Sequence, residues 1–348
     1  MTFKIEQTRR QFIATAAAGV IAAPHVARAQ ESVLKITGWG GKWGQVFKDE
    51  IGPAFEKEFK CKLQTDTAFP FLPKLQASRT SDPIYDVLHT NSNEQWAAAE
   101  MGIIEPEVSA RTIPNLKDMH AFAHGPKIAG VCMFTSAIGL GYRTDKGLPP
   151  ITSWNDYFDR RYDGTRGGYL IPVNSFGQMF LMLCGKLYGK GFEDLDAAYK
   201  KMEELKPIKL VDFTGVMEKN LLSGECTMAL MHDSGILRYD GENQPIAWAA
   251  PKEGVLALEQ VLSVTPGSKK KELAYAFINH MLSAPVQKRL AETVWYSPAN
   301  KTVVLDDRYK AKLLTTPEQV ATLIQVDWKW YNARKDEIDA RVNKIFRA

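Results

Sequence analysis

The chain has 348 residues, 45% of them hydrophobic and 10% aromatic, and a formal charge of +4 from 44 Lys and Arg against 40 Asp and Glu. This composition excludes a long disordered chain and a collagen-like one. A bare excess of four positive charges is also not the clustered basic face of a nucleic-acid binder, and the length predicts about two domains at roughly 150 residues each.

The charge excess sits at the front. Residues 1–29 carry Lys4, Arg9, Arg10 and Arg28 against Glu6, then the uncharged run from Phe12 to Ala23 and the small-residue site Ala27-Arg28-Ala29. Basic, apolar and small-residue regions in that order predict a secretory signal over 1–29, with the mature chain starting near Gln30. The run Thr8-Arg9-Arg10-Gln11-Phe12-Ile13 resembles the twin-arginine export signal but lacks the basic residue that often follows; an ordinary Sec signal is the alternative. Without that segment 40 basic and 39 acidic residues remain, a net of +1. Cys61, Cys132, Cys184 and Cys226 are far apart, with no metal-like spacing. Cys184 and Cys226 adjoin apolar runs and read as buried thiols, and no pairing follows from spacing.

Beyond the signal, Val33 to Thr37 alternates as a strand, and Phe47 to Phe59 places apolar residues every fourth position, a helix interrupted at Gly52-Pro53. Strand signals follow at 62–67 and 86–90, and helix signals at 71–78 and 94–101. This alternation predicts a parallel α/β sheet. Val131 to Tyr142 reads as two short extended segments. Trp154 to Phe158 opens a helix, and Gly168 to Val173 is a strand. Helices are predicted over 176–188, 195–205, 216–222, 271–282 and from Pro285 to about Thr293. Strands are predicted over 208–212, 227–231 and 259–264. The tail from Pro317 to Phe346 reads as two amphipathic helices.

Catalytic and cofactor motifs are weak. Gly38, Gly40, Gly41 and Gly44 follow a strand, but Trp43 stands where a dinucleotide fingerprint needs glycine. His120 and His124 have the i, i+4 spacing of a zinc pair, yet Gly125-Pro126 follows at once and no third ligand is evident. Asp306-Asp307 and the Asp194/Asp196 pair read as solvated turns. What remains is a set of strand-end loops rich in aromatics and small hydrogen-bonding groups: Trp39 and Trp43; Asn91; Phe134; Ser175; His232 and Asp233. Open α/β sheets bind ligands beyond the carboxyl ends of their strands, so these loops describe a binding cleft rather than a nucleophile with its base.

Several segments carry a family resemblance across the mature chain: Tyr85-Asp86-Val87 with Met101-Gly102-Ile103-Ile104-Glu105-Pro106; Ser153-Trp154-Asn155-Asp156-Tyr157-Phe158 leading to Tyr162-Asp163-Gly164; Pro251-Lys252-Glu253-Gly254; the run Glu272 to Asn279; and Ser297-Pro298-Ala299-Asn300. In this order, behind an export signal, they resemble the periplasmic solute-binding proteins of ABC importers, family 1 of the bacterial extracellular solute-binding proteins, in the branch with the spermidine/putrescine binders. The resemblance implies an α/β, type II periplasmic-binding-protein fold. Two lobes would be joined by crossings near Phe134 to Ala137 and Pro251 to Gly254, with ligand between them. Residues 30–134 plus about 255–300 would form lobe 1, residues 135–254 lobe 2, and 301–348 tail helices packed on both. The implied protein is a periplasmic monomer without cofactor or metal. It is no enzyme and binds no nucleic acid, and it delivers a small solute to inner-membrane permease and ATPase subunits.

Ligand chemistry is where the sequence departs from that branch. Polyamine binders resemble one another in a Trp-x-Asp after Pro-Lys-Glu-Gly; the matching positions here are Leu258 and Gln260. An acidic pair expected after the strand near residue 173 is replaced by Asn174, Ser175 and Phe176. Two carboxylates are missing, and a dication would be poorly neutralised in a closed cleft. The expectation is therefore a small polar organic solute, an amine or amino-acid derivative. Trp39 and Trp43 would stack on it, Phe134 would line the cleft, and Asn91 and Ser175 would hydrogen-bond. His232, Asp233 and Gln260 would set charge preference. Lys42 with His232 leaves an anionic solute open. A metal cargo on the same fold is a further alternative, although Tyr239 and Tyr296 stand apart, and so is an exported cofactor enzyme.

Overall fold

The computed structural model describes residues 32–78, 80–239 and 242–347; the export-signal reading of 1–29 lies outside them. Strand β1 (Ser32–Thr37) leads into helix α1 (Gly41–Val46), a π-type turn (Phe47–Ile51) and α2 (Gly52–Phe59). Gly52-Pro53 therefore does not interrupt the helix. The wider turn comes before it, and Pro53 falls in the first turn of α2, where a missing N–H costs nothing. Then come β2 (Cys61–Asp66), α3 (Leu72–Ala77), β3 (Val87–Asn91), α4 (Ser92–Glu100) and β4 (Val131–Arg143).

A capped 3₁₀ turn over Trp154–Phe158 stands where a helix was predicted. Next are β5 (Arg166–Tyr169), α5 (Ser175–Tyr188), α6 (Leu195–Glu204), β6 (Lys209–Val211), α7 (Thr214–Ser223), β7 (Met228–His232), α8 (Asp233–Leu237), β8 (Ile246–Ala249) and β9 (Leu256–Val264). β5 is shorter than predicted: Leu170 to Val173 leave the sheet in a turn that contains Pro172. The chain ends with α9 (Lys271–Met281), α10 (Ala284–Val294), β10 (Ser297–Pro298), α11 (Asp307–Lys310), α12 (Pro317–Ala321), α13 (Trp328–Asn332) and α14 (Lys335–Arg347). The tail thus forms several short helices rather than two.

The strands join in the order β2-β1-β3-β9-β4-β7-β5-β6, with β8 and β10 also on β4. Pairing is parallel within β2-β1-β3 and within β7-β5-β6, as alternation predicts, but β4 and β9 run antiparallel to their neighbours. The sheet is mixed because these two strands link two separate cores. One core gathers Leu34, Phe55, Val131, Phe134, Val261 and Phe277. The other gathers Ile138, Leu140, Trp154, Phe180, Leu230 and Leu256, and draws in Trp328, Tyr331 and Ile338 from the tail. Along β9 the change of core falls after Leu258, beyond the Pro251 to Gly254 segment.

β4 is one strand, not two segments. Gly139 and Gly141 are not breaks but points of close approach: a Cβ on Gly139 would meet the Ala249 carbonyl and the Trp248 ring. All four cysteines are buried, and burial pushes the thiols of Cys132, Cys184 and Cys226 up. Because β8 pairs with β4 beside Gly139, the obstructing carbonyl cannot swing away. Gly139→Ala is expected to cost about 1–3 kcal/mol by overpacking, read as a lowered midpoint in urea unfolding.

Candidate functional site

Strand alternation decides which side chains meet. β4 and β9 pair Phe134 with Gln260 and Ser136 with Leu258, so these four share one face, while Thr135 and Glu259 share the other. On β3, His89 and Asn91 share a face, and Asn91 is paired with Gln260. The result is a row of polar contacts. Trp39 Nε1 donates to Gln260 Oε1 at 2.6 Å, Gln260 Nε2 donates to Asn91 Oδ1 at 2.6 Å, and Asn91 Nδ2 donates to Ser175 Oγ at 3.3 Å. Ser175 opens α5 on the second core, so this row crosses from one core to the other. Asn93 Nδ2 makes a parallel crossing to Gln178 Oε1 at 3.3 Å.

The second core contributes the start of α8. His232 caps it, accepting the Gly235 N–H at Nδ1, 3.2 Å away, with Ser234 Oγ 2.7 Å from the same nitrogen. Phe176 packs edge-on against the His232 ring at 5.5 Å. Asp233 is 2% exposed, takes the Ser234 N–H at 2.6 Å, and is also bonded by Ser136 and the Ala137 amide. Ser136 Oγ lies 3.0 Å from Ser234 Oγ. Among the described residues no lysine or arginine forms an ion pair with Asp233.

The predicted residues divide into two kinds. Trp39, Asn91, Ser175 and Gln260 form the polar row, and His232 and Asp233 face it from the second core. Trp43 and Phe134 are walls: Trp43 is buried with its face on Phe47 at 5.0 Å, and Phe134 is buried with its face on Tyr296 at 4.0 Å. Lys42 is exposed on α1 and outside the cluster. His120 is buried at the cap of a 3₁₀ turn, and among the described residues no group of three metal-ligating side chains forms.

Sequence reasoning missed His89, Ser136, Ser234 and Tyr296. His89 sits among Trp39, Trp43 and Phe134, at ring distances of 6.0, 5.1 and 6.2 Å. The i, i+2 rule applied to Asn91 and Phe134 points to His89 and Ser136. Tyr296 has no local signal; it arrives because β10 pairs with β4 at Phe134. Phe69, 53% exposed, packs on Trp39 at 6.1 Å. A separate hollow of about 460 Å³, lined by Glu50, Phe59, Asn279, His280 and Arg289 among others, lies on the outer side of the first core.

Burial dominates the electrostatics. It lowers His89 to about 3 and His232 to about 4, so both rings are neutral near pH 7. It raises Asp233 to about 7 and Tyr296 to about 12. Two more acids, Glu94 and Glu259, are also raised by burial, Glu94 to about 7. They belong to the opposite face, where Glu94 bonds Thr90 and Glu259 accepts from Gln325 Nε2 at 3.0 Å.

The bacterial extracellular solute-binding protein family matches residues 51–317. The spermidine/putrescine-binding periplasmic protein of Escherichia coli K12 is 27% identical over 172 residues, 47% of this chain and 47% of that protein. The chain thus spans about half the length of the curated relatives it matches. Among solved structures, an ABC transporter from Clostridium perfringens superposes with a TM-score of 0.76 at 23% identity, over 90% of this chain and 99% of that one. An ABC transporter substrate-binding protein from Bradyrhizobium japonicum gives 0.74 at 20%, over 90% and 99%. These likenesses show the fold.

Asp233 also makes the fold pH-sensitive. Its folded value lies above the unfolded one, so its carboxyl is held protonated by folding, and its contribution is lost as pH rises from about 4 to about 7. Asp233→Asn is expected to raise the melting temperature at about pH 8, with the gain vanishing by about pH 4. Thermal melts of both proteins across that range check it.

Proposed function

The chain belongs to the family of bacterial extracellular solute-binding proteins, and we propose that it is the substrate-binding component of an ABC importer. It captures a small polar organic solute with one ammonium group in the periplasm and passes it to an inner-membrane permease. The observation that carries this reading is Asp233: a carboxyl buried among Ser136, Ser234 and Tyr296 without a cationic partner among the described residues. Such a group destabilises the empty protein and becomes an asset when a cation arrives, since burial of an unpaired charge is what costs.

The two cores are the two lobes, with β4 and β9 as crossings. The tail returns to the second core through Trp328 and Tyr331. Closure brings Asn91 onto Ser175 and Asn93 onto Gln178 by hinge motion. The N-terminal signal exports the chain, and the stretch from Gln30 onward folds in the periplasm. The relatives named for spermidine and putrescine support an amine. The site argues against a dication: Gln260 and Leu258 stand where an acid and a tryptophan would be, and Glu94 and Glu259 face away with partners of their own. Stacking comes from Trp39 and the exposed Phe69, and from the Tyr296 and Phe176 rings near Asp233.

Calorimetry of the full mature protein with butylamine, putrescine and spermidine tests this. The monoammonium probe is expected to bind more tightly than either polyamine, and Asp233→Asn to weaken it by about tenfold or more, the worth of a charge-assisted hydrogen bond. Tighter polyamine binding, or affinity unchanged in Asp233→Asn, would overturn the reading.

A further inference from the structure

The row Trp39–Gln260–Asn91–Ser175 has a direction that chemistry fixes. An indole N–H can only donate. The Gln260 atom 2.6 Å from Trp39 Nε1 is therefore its oxygen. With that oxygen engaged by Trp39, Gln260 cannot turn over, and its amide nitrogen faces Asn91. The Asn91 atom receiving it, 2.6 Å away, is the carbonyl oxygen. Asn91 then has only its NH₂ to offer Ser175, whose oxygen accepts at 3.3 Å and whose own proton is left over.

Beyond Trp39, which gives its only donor, each member accepts one bond from its neighbour and keeps a donor. One N–H of Gln260, one N–H of Asn91 and the Ser175 hydroxyl hydrogen remain. His232 behaves alike, since accepting the Gly235 N–H at Nδ1 places the proton of its neutral ring on Nε2. No carboxylate joins this end of the cluster. Asp233 opens α8, bonded by Ser136 and Ser234, and Tyr296 feels its charge.

We propose that the solute is bipolar, with its ammonium on Asp233 and a hydrogen-bond-accepting group, a carboxylate in the first instance, on the donors of Gln260, Asn91 and Ser175. This deepens the preceding reading and rests on its assignment of Asp233. Gln260 is then the specificity-determining residue, and Trp39 is the positioning residue that holds its amide the right way round. An ammonium group at Gln260 would face three free donors and have only second lone pairs to accept it, which disfavours a diamine.

The test uses probes of one chain length: an alkylamine, the ω-amino acid, the diamine and the diacid, titrated calorimetrically into the mature protein. The ω-amino acid is expected to bind about tenfold or more tightly than the alkylamine. Gln260→Asp is expected to reverse the order, favouring the diamine. Trp39→Phe, which keeps a ring and removes the N–H, should weaken the ω-amino acid several-fold more than the alkylamine; equal weakening of the two would remove the role of amide direction. Equal binding of alkylamine and ω-amino acid overturns this inference while leaving Asp233 as ammonium anchor. Diacid binding without alkylamine binding keeps the donor row and removes the ammonium assignment. No binding by any probe overturns both.

Discussion

The antiparallel pairing of β4 with β9 is the constraint on which the molecule depends. Both strands are buried nearly throughout and both run from one core into the other. A hydrogen-bonded pair of long strands resists stretching but can twist, so it joins two packed bodies without fusing them. The same pairing positions the site. Register places Phe134 beside Gln260 and Ser136 beside Leu258, and β3 lies along β9 so that Asn91 meets Gln260. β10 lies along β4 and delivers Tyr296 to Phe134.

The site is held in a state that the fold alone would not favour. His89 and His232 are neutral rings where water would let them charge, His89 Nε2 has no partner, and Asp233 is a carboxyl without a cation. His89 Nε2 is unbonded, which costs about 1–3 kcal/mol; His232 and Asp233 are hydrogen-bonded but lose the solvation of their charged forms. Other buried groups lack partners among the described residues too, including Arg166 Nε, Tyr199 Oη, Trp328 Nε1 and Tyr331 Oη, while some buried charges are well bonded. The fully buried Arg166 gives its guanidinium to the Leu205 and Asp159 carbonyls and to Asp163, and Arg143 is tied to Asp145 and two carbonyls.

Much of the fold was legible because its signals are local. The periodicity of α5, the alternation of β1 and the apolar run of β9 can be read within a window of a dozen residues. What was misread needed partners. The glycines of β4 look like breaks until Ala249 and Trp248 are seen against Gly139, and Gly52-Pro53 looks like a stop until the wider turn before it is seen. The site was legible to the same extent. Strand-end loops marked Trp39, Asn91, Ser175, His232 and Asp233, but the loop argument could not separate Trp43 and Phe134, whose faces are taken by Phe47 and Tyr296. Tyr296 enters by tertiary pairing far along the chain.

Glu259 and Gln260 show how little sequence separates two ligand chemistries. They are neighbours on β9, and the strand's period of two sends them to opposite faces. The acid goes to the back, where Gln325 bonds it; the amide goes to the cleft, where Trp39 fixes its oxygen. A one-residue slip would put the carboxylate in the cleft and recreate an acceptor there, but seven paired positions with β4 and five with β3 forbid it. The acid count of the chain therefore says nothing about its solute. Register decides which of two adjacent side chains faces Trp39 and Asn91, and here that is the amide.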